Sequence, residues 1–260
     1  MSDRFECFKT SVLHPRVKSF NSVDSTNSVA KELLIQGETE GLIVFARTQT
    51  SGRGRRDRLW LSPDGGLYFS IILKPRFGLE NVPLLGILGA CAVARSLNAL
   101  GVKNVRLKWP NDVLIGESKI SGILSEAVSV QNETIGIVVG IGVNQNCPVS
   151  DMPSGLVWPT TSVIDELGKE TSAESLLCSI VNEIDALLQI LEEDASYTRI
   201  LSEWRELSST LGARVRIHED EKNIDGVAID INNDGSLIVK TDDGIVNVLL
   251  GDVSHLRTQE

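Results

Sequence analysis

A chain of 260 residues, 42% hydrophobic and 23% charged, is long enough for one large domain plus a small one. Its composition is that of a packed globular protein, which excludes a disordered chain and a disulfide scaffold. A formal net charge of -10 excludes a protein whose main task is holding nucleic acid, because that affinity needs lysines and arginines clustered over a broad face.

The N-terminal stretch MSDRFECFKT carries scattered charges and no apolar segment, so a secretory signal is not expected. Asp24, Ser25, Thr26 and Asn27 supply helix-capping side chains, and Val29, Ala30, Leu33 and Leu34 follow at helical spacing until Gly37. Leu42 to Arg47 is β-rich and leads into a polar loop, Thr48 to Arg58, with no periodicity of either kind. In Gly66 to Lys74, Leu67, Phe69, Ile71 and Leu73 alternate, as in a half-buried strand. The apolar stretch Val82 to Val102 contains Arg95, Ser96 and Asn98, which fits a buried helix better than a membrane span.

Four more strands are predicted at Val105 to Lys108, Val113 to Ile115, Ile120 to Val130 and Thr134 to Val143, with a turn at Gln131-Asn132-Glu133. A long amphipathic helix begins at Ser172, with Leu176, Leu177, Ile180, Val181, Ile184, Leu187, Leu188 and Leu191 on one stripe. Beyond about Leu211 the pattern turns to short strands with hairpin signals, Asn-Asp-Gly at 233–235 and Asp-Asp-Gly at 242–244. These elements predict an α+β fold, a mixed sheet with helices on one side followed by a small β-barrel. The cysteines Cys7, Cys91, Cys147 and Cys178 are widely spaced, which suits free thiols in a reducing compartment and argues against zinc.

The segment Gln49 to Arg58 places Arg53, Arg55, Arg56 and Arg58 within six positions, alternating at first with Gly52 and Gly54. Glycines let a backbone approach a ligand, and guanidinium groups clamp its oxygens, so the segment fits a phosphate or acyl-phosphate cradle; a solvated basic loop has the same composition. Trp60 ends the loop with a flat ring suited either to stacking or to core packing. Lys108-Trp109-Pro110-Asn111-Asp112 joins a strand to a turn, and Lys119 enters an apolar strand where its ammonium needs an anion or a route to water. Gly140-Ile141-Gly142-Val143-Asn144 ends a strand with two residues that leave room for another group.

In this order and spacing, Asp24 to Asn27, Gln49 to Arg58 with Trp60, Lys108 to Asp112, Lys119 with Gly122, and Gly140 to Asn144 resemble the biotin protein ligase family. The resemblance covers about residues 20–145, and the C-terminal β segment is similar to that family's small barrel. It implies a catalytic domain over residues 1–211, of the class II synthetase-like biotin/lipoate ligase type, and an SH3-like barrel over 212–260. It also implies the activity: biotin is activated with ATP to biotinyl-5'-adenylate and passed to a lysine of a biotin carboxyl carrier protein domain.

By the same resemblance, biotin is held by Ser25, Thr26, Asn27, Gln49, Gly52, Arg53, Gly54, Arg55, Lys119, Gly122 and Gly142. The nucleotide and adenylate fall to Arg53, Arg55, Arg56, Arg58, Trp60, Asn111, Asp112, Lys119 and Asn144. Lys119, Arg55 and Asp112 are the implied catalytic residues, with magnesium reaching the site through Asp112 if through any side chain. A cytoplasmic homodimer without nucleic-acid or membrane partners is expected. Only 24 residues precede the Ser-Thr-Asn segment, which is too short for the DNA-binding domain of repressor members.

One residue departs from the pattern: the family usually has glycine where this chain has Asp57. That substitution would alter retention of the intermediate or, at the extreme, inactivate the enzyme. Two rival readings carry weight, a lipoate or octanoate carrier-protein ligase or transferase, the transferase with Cys147 as a thioester nucleophile, and a noncatalytic sensor of biotin or nucleotide.

Overall fold

The computed structural model describes residues 7–74, 82–152, 158–219, 222–249 and 251–256. The N-terminal residues 1–6 read for a signal, and the last residues of the expected barrel, 257–260, lie outside that set. Seven strands form the main sheet: β1 (Arg16–Val23), β2 (Leu42–Gln49), β3 (Leu67–Leu73), β4 (Val105–Lys108), β5 (Asp112–Ile115), β6 (Ser118–Val130) and β7 (Glu133–Val143), in the order β1-β2-β3-β7-β6-β5-β4. Only β1 and β2 run parallel; every other neighbouring pair is antiparallel, so the sheet is mixed.

A parallel pair needs a crossover, and α1 (Thr26–Ile35) supplies it. Ala30 and Leu34 of that helix bury against Leu42, Val44, Ile72 and Val138 on one face of the sheet. The opposite face, with Ile43, Phe69, Ile71, Val139 and Ile141, is covered by α2 (Val82–Leu100), α4 (Ala173–Asp194) and α5 (Thr198–Leu207). The predicted helical layer is therefore present on one side, and α1 adds a cover over part of the other. With both faces covered, β3 is buried along its whole length rather than half-buried.

The helix α2 is long and apolar enough to cross a membrane, but 72% of its most apolar stretch is buried inside the protein, as expected of a core helix. The β6–β7 turn at Gln131 and Asn132 has positive φ at both residues, 50° and 67°, the geometry that matches the twist of a tight hairpin. Sequence reading missed β1, a mostly exposed edge strand whose RVKSFNSV alternates poorly, and also α5 and the short α3 (Val163–Leu167).

The C-terminal part forms a second, wholly antiparallel sheet from β8 (Arg214–Glu219), β9 (Lys222–Ile231), β10 (Leu237–Thr241), β11 (Gly244–Val248) and β12 (Asp252–His255), in the order β11-β10-β9-β8-β12. The hairpin signals at 233–235 and 242–244 fall at the β9–β10 and β10–β11 connections. This sheet shares one continuous apolar core with the main one, since Val215, Ile217, Leu237 and Val239 cluster with residues of α2 and α4.

The cysteine expectation needs correction. Cys7 and Cys178 are joined as a disulfide across 171 positions, and only Cys91 and Cys147 are free. The cause is tertiary. The N-terminal segment crosses α4, where the buried Asp185 carboxylate accepts hydrogen bonds from the amides of Ser11 (2.7 Å), Val12 (2.9 Å) and Leu13 (2.6 Å). Asn182 joins in by donating to the Cys7 carbonyl at 3.2 Å. Of the four cysteines expected as free thiols, two are thus paired.

Candidate active site

A cavity of about 410 Å³ opens beside the ends of β6 and β7, large enough for a small molecule. Its walls come from the start of α1, the arginine loop after β2, the first residues of β5 and β6, the end of β7, the segment around Trp158, and Asp252 of the C-terminal sheet.

The floor is paved by glycine. Gly122 of β6 and Gly142 of β7 are directly paired, and the Trp60 ring lies against them. A methyl group at Gly142 would come within 2.5 Å of Trp60 Nε1, and one at Gly122 within 3.1 Å of Trp60 Cζ3. Trp60 Nε1 is buried with no hydrogen-bond partner among the described residues. Of the two glycines read from sequence as room for another group, Gly142 thus faces the protein's own indole and Gly140 faces the Asn27 side chain.

Above the floor stands Lys119. Its Nζ is 2.6 Å from Asp112 Oδ1 and 5.2 Å from the centre of the Trp60 ring. Its backbone is held by the segment after Trp158, with Lys119 N donating to Pro159 O (2.8 Å) and Thr161 N to Lys119 O (3.0 Å). Asn111 is pinned to β6 through Ile123 O at 2.5 Å, and Asn144 Nδ2 donates to Thr161 O at 3.0 Å. A second cation, Lys108, is buried beneath, 4.1 Å from the Trp158 ring centre. Burial pushes its pKa down, against the pull of Asp112.

At the opposite end the side chains are small and polar. Gln49 Oε1 accepts from the Thr26 amide (2.8 Å) and hydroxyl (3.2 Å), while its Nε2 donates to Ser62 Oγ (2.7 Å). Ser25 occupies the N-cap of α1 without a side-chain capping bond, so the helix start expected at Asp24–Asn27 is present but its capping differs: Gln49 takes the Thr26 amide instead.

The arginine loop folds back on itself through the Arg53–Leu59 bridge, with Gly54 N donating to Arg58 O at 2.7 Å. It does not repel itself apart because the C-terminal sheet meets it with an anion. Asp252 pairs with Arg58, lies 3.7 Å from Arg55 and 3.9 Å from Arg56, and Arg55 Nη1 donates to Gly251 O at 3.1 Å. Burial lowers the pKa of Arg55, with Asp252 and Asp112 opposing the shift.

All site residues expected from sequence line this cavity except Gly52 and Arg56. Gly52 stands behind the wall, packed against Trp60 O and Ser62. Arg56 has a left-handed backbone, φ 52°, and meets Asp252 from outside. Sequence reasoning missed Gly140, Met152, Trp158, Thr160 and Asp252. Gly140 belonged to a motif already singled out, whereas Asp252 reaches the site only through the packing of the second sheet and has no local signal. Cys147 is buried but does not line the cavity, and burial pushes its thiol pKa up, so it is not poised as a nucleophile.

A mixed sheet whose cavity joins an arginine-glycine loop to a strand lysine defines a carboxylate-activating ligase of the biotin and lipoate type. The profile of the biotin/lipoate A/B protein ligase family matches residues 19–144, and that of the biotin protein ligase C-terminal domain matches residues 210–256. The biotin--[acetyl-CoA-carboxylase] ligase of Mycobacterium tuberculosis is 30% identical over 254 residues, 92% of this chain and 90% of that protein. The bifunctional ligase/repressor BirA of Bacillus subtilis is 30% identical over 251 residues, 94% of this chain and 75% of that protein. Among solved structures, the biotin protein ligase of Aquifex aeolicus in complex with biotin and ATP superposes with a TM-score of 0.81 at 30% identity, covering 93% of this chain and 99% of that one. The chain belongs to the biotin protein ligase family.

Proposed function

We propose that this cavity joins biotin to AMP and then passes biotin to a lysine of a biotin carboxyl carrier protein domain. The observation that carries the reading is the juxtaposition of the Lys119 ammonium with the arginine loop around one glycine-floored cavity. Biotin's carboxylate oxygen attacks the α-phosphorus of ATP, a P–O bond forms, and pyrophosphate leaves. Negative charge spreads over the phosphate oxygens, and Lys119, Arg53 and Arg55 stabilise it. In the second step the carrier amine attacks the acyl carbon, an amide forms and AMP leaves. The amine, near pKa ~10.4 when unperturbed, must shed a proton. Asp112 is the acceptor we assign.

Ser25, Thr26, Asn27 and Gln49 are assigned to the ureido end, because small hydroxyl and amide groups match its donors and acceptors. Arg58, Trp60, Asn111 and Asn144 are assigned to the adenylate. Magnesium, when bound, would neutralise charge on the ATP phosphates, and Asp112 is the carboxylate of the cavity that would hold it. We further assign the catalytic unit to residues 1–211 and the barrel to 212–260, and infer a cytoplasmic homodimer that leaves nucleic acid and membrane alone.

The test has two stages. Purified chain with ATP, magnesium and biotin should release pyrophosphate, which a passive sensor would not do. Adding a carrier domain should then raise the carrier's mass by one biotinyl group. A lipoate or octanoate preference would appear as pyrophosphate release with those acids and none with biotin.

A further inference from the structure

Glu126 of β6 is absent from the cavity wall and has no part in the chemistry above. Its carboxylate nevertheless joins the two ends of the site. Oε2 accepts a hydrogen bond from Asn27 Nδ2 at 2.7 Å, and Oε1 accepts one from Lys31 Nζ at 2.5 Å and lies 3.4 Å from Arg53 Nη1.

The bond to Asn27 decides how that amide faces. A carboxylate accepts only, so the nitrogen of Asn27 must turn toward Glu126, and its second proton goes to Leu124 O at 3.3 Å. The oxygen is thereby aimed at Ser70, whose hydroxyl donates to it at 2.6 Å, and at Gly140, where any side chain would overlap it. Without the anion behind it, only the longer bond to Leu124 O holds the nitrogen on this side.

At the other end, Arg53 has two acidic neighbours. Asp57 is 4.0 Å away with a side chain 96% exposed, and a pair so exposed contributes little. Glu126 is nearer and its side chain is 19% exposed, so it is the partner that fixes the guanidinium. Burial works against the charge of Glu126, yet Lys31, Asn27 and Arg53 together outweigh it and hold its pKa below the ordinary value of 4.5.

We propose that Glu126 is a positioning residue: through Arg53 it docks the arginine loop over the pocket, and through Asn27 it presents the acceptor at the pocket head. The two ends of the ligand are then read by groups tied to one carboxylate. The inference rests on the ligase reading above. A purely structural Glu126 would serve as the partner of Lys31, and its loss would lower stability alone.

Glu126→Gln keeps the size and one acceptor oxygen but removes the charge. The expected result is a roughly tenfold rise in biotin KM and a roughly tenfold faster escape of the adenylate, the size of losing one charge-assisted bond. The single-turnover rate of pyrophosphate release should fall by less than that factor, because Lys119 and Arg55 still face the phosphate and only Arg53 loses its mooring. Combined with Arg53→Met, the variant should release adenylate well under tenfold faster than Arg53→Met alone, because only the Asn27 arm is left to lose. Lys31→Met leaves carboxylate and guanidinium in place and should retain the wild-type escape rate.

Should Glu126→Gln fail to fold, Glu126→Asp takes its place, with a smaller rise in escape expected from the shorter reach. Wild-type KM and escape rate in a folded Glu126 variant, or Lys31→Met escaping as fast as Glu126→Gln, overturns the proposal. A wild-type chain that releases no pyrophosphate overturns the ligase reading and this inference together.

Discussion

Lys119 pairs its charge with Asp112, and an open cavity lies before it. Replacing it with Gln removes a preorganised donor from the site of developing charge, for which losses of roughly 10²–10³ in rate are typical. Biotin-dependent pyrophosphate release by Lys119→Gln should fall by that factor while the thermal midpoint stays close to wild type. Glu126 gives a pH test of a different kind. Its folded pKa lies below 4.5, so the stability it contributes is present above that value and is lost as pH falls through the folded pKa. The stability difference between wild type and Glu126→Gln, followed by denaturant titration, should therefore shrink on acidification and hold steady from pH ~5 upward. Asp57 holds a left-handed backbone, φ 56°, which glycine adopts freely and a side chain pays for by roughly 1–2 kcal/mol. That strain exceeds the entropy a glycine adds to the open loop. Asp57→Gly should slow adenylate escape severalfold, and an unchanged rate would show that the turn does not govern retention.

At the scale of elements, what was legible followed from periodicity. The stripe of α4 and the hairpin signals after residue 211 carry their structure locally, and the structure bears them out. The edge strand β1 was invisible because its outward residues are exposed and only Val17 is deeply buried, leaving no alternation to read. Most of the cavity wall was legible through glycines and cations placed against propensity, which is where function overrides local preference. Asp252 was not, because only the docking of two sheets brings β12 beside a loop almost 200 positions earlier, the separation from Arg58 being 194. The loop therefore depends on a distant element. Asp252→Asn leaves Arg55, Arg56 and Arg58 without their shared anion, so the arginine loop should exchange its amide hydrogens faster in the unliganded protein. The adenylate should also escape sooner than from wild type. Equal protection of residues 53–58 in both proteins would show that the loop is held by its own backbone bonds instead.

The whole molecule couples its two sheets through more than this one contact. Trp109, 2% exposed at the β4–β5 turn, donates its indole N–H to Gly235 O of the C-terminal sheet at 2.9 Å. Arg205 of α5 reaches across to Asp230 at 2.7 Å and to Ile231 O at 2.7 Å. Around these bonds the apolar core runs without a break from the main sheet and its helices into β8, β10 and β12. Two modules on a flexible link would melt separately, whereas units sharing a core lose it together. A Trp buried at such a seam is worth roughly 3–5 kcal/mol on truncation to Ala, a large share of the stability of either part. Heating the intact chain should therefore give one cooperative transition, coincident by near-ultraviolet signal from the tryptophans and by far-ultraviolet signal from the backbone. Trp109→Ala should lower its midpoint and pull the two curves apart, as the barrel melts first. Two separated transitions in the wild type would mean that the seam is too weak to join the two sheets into one cooperative unit.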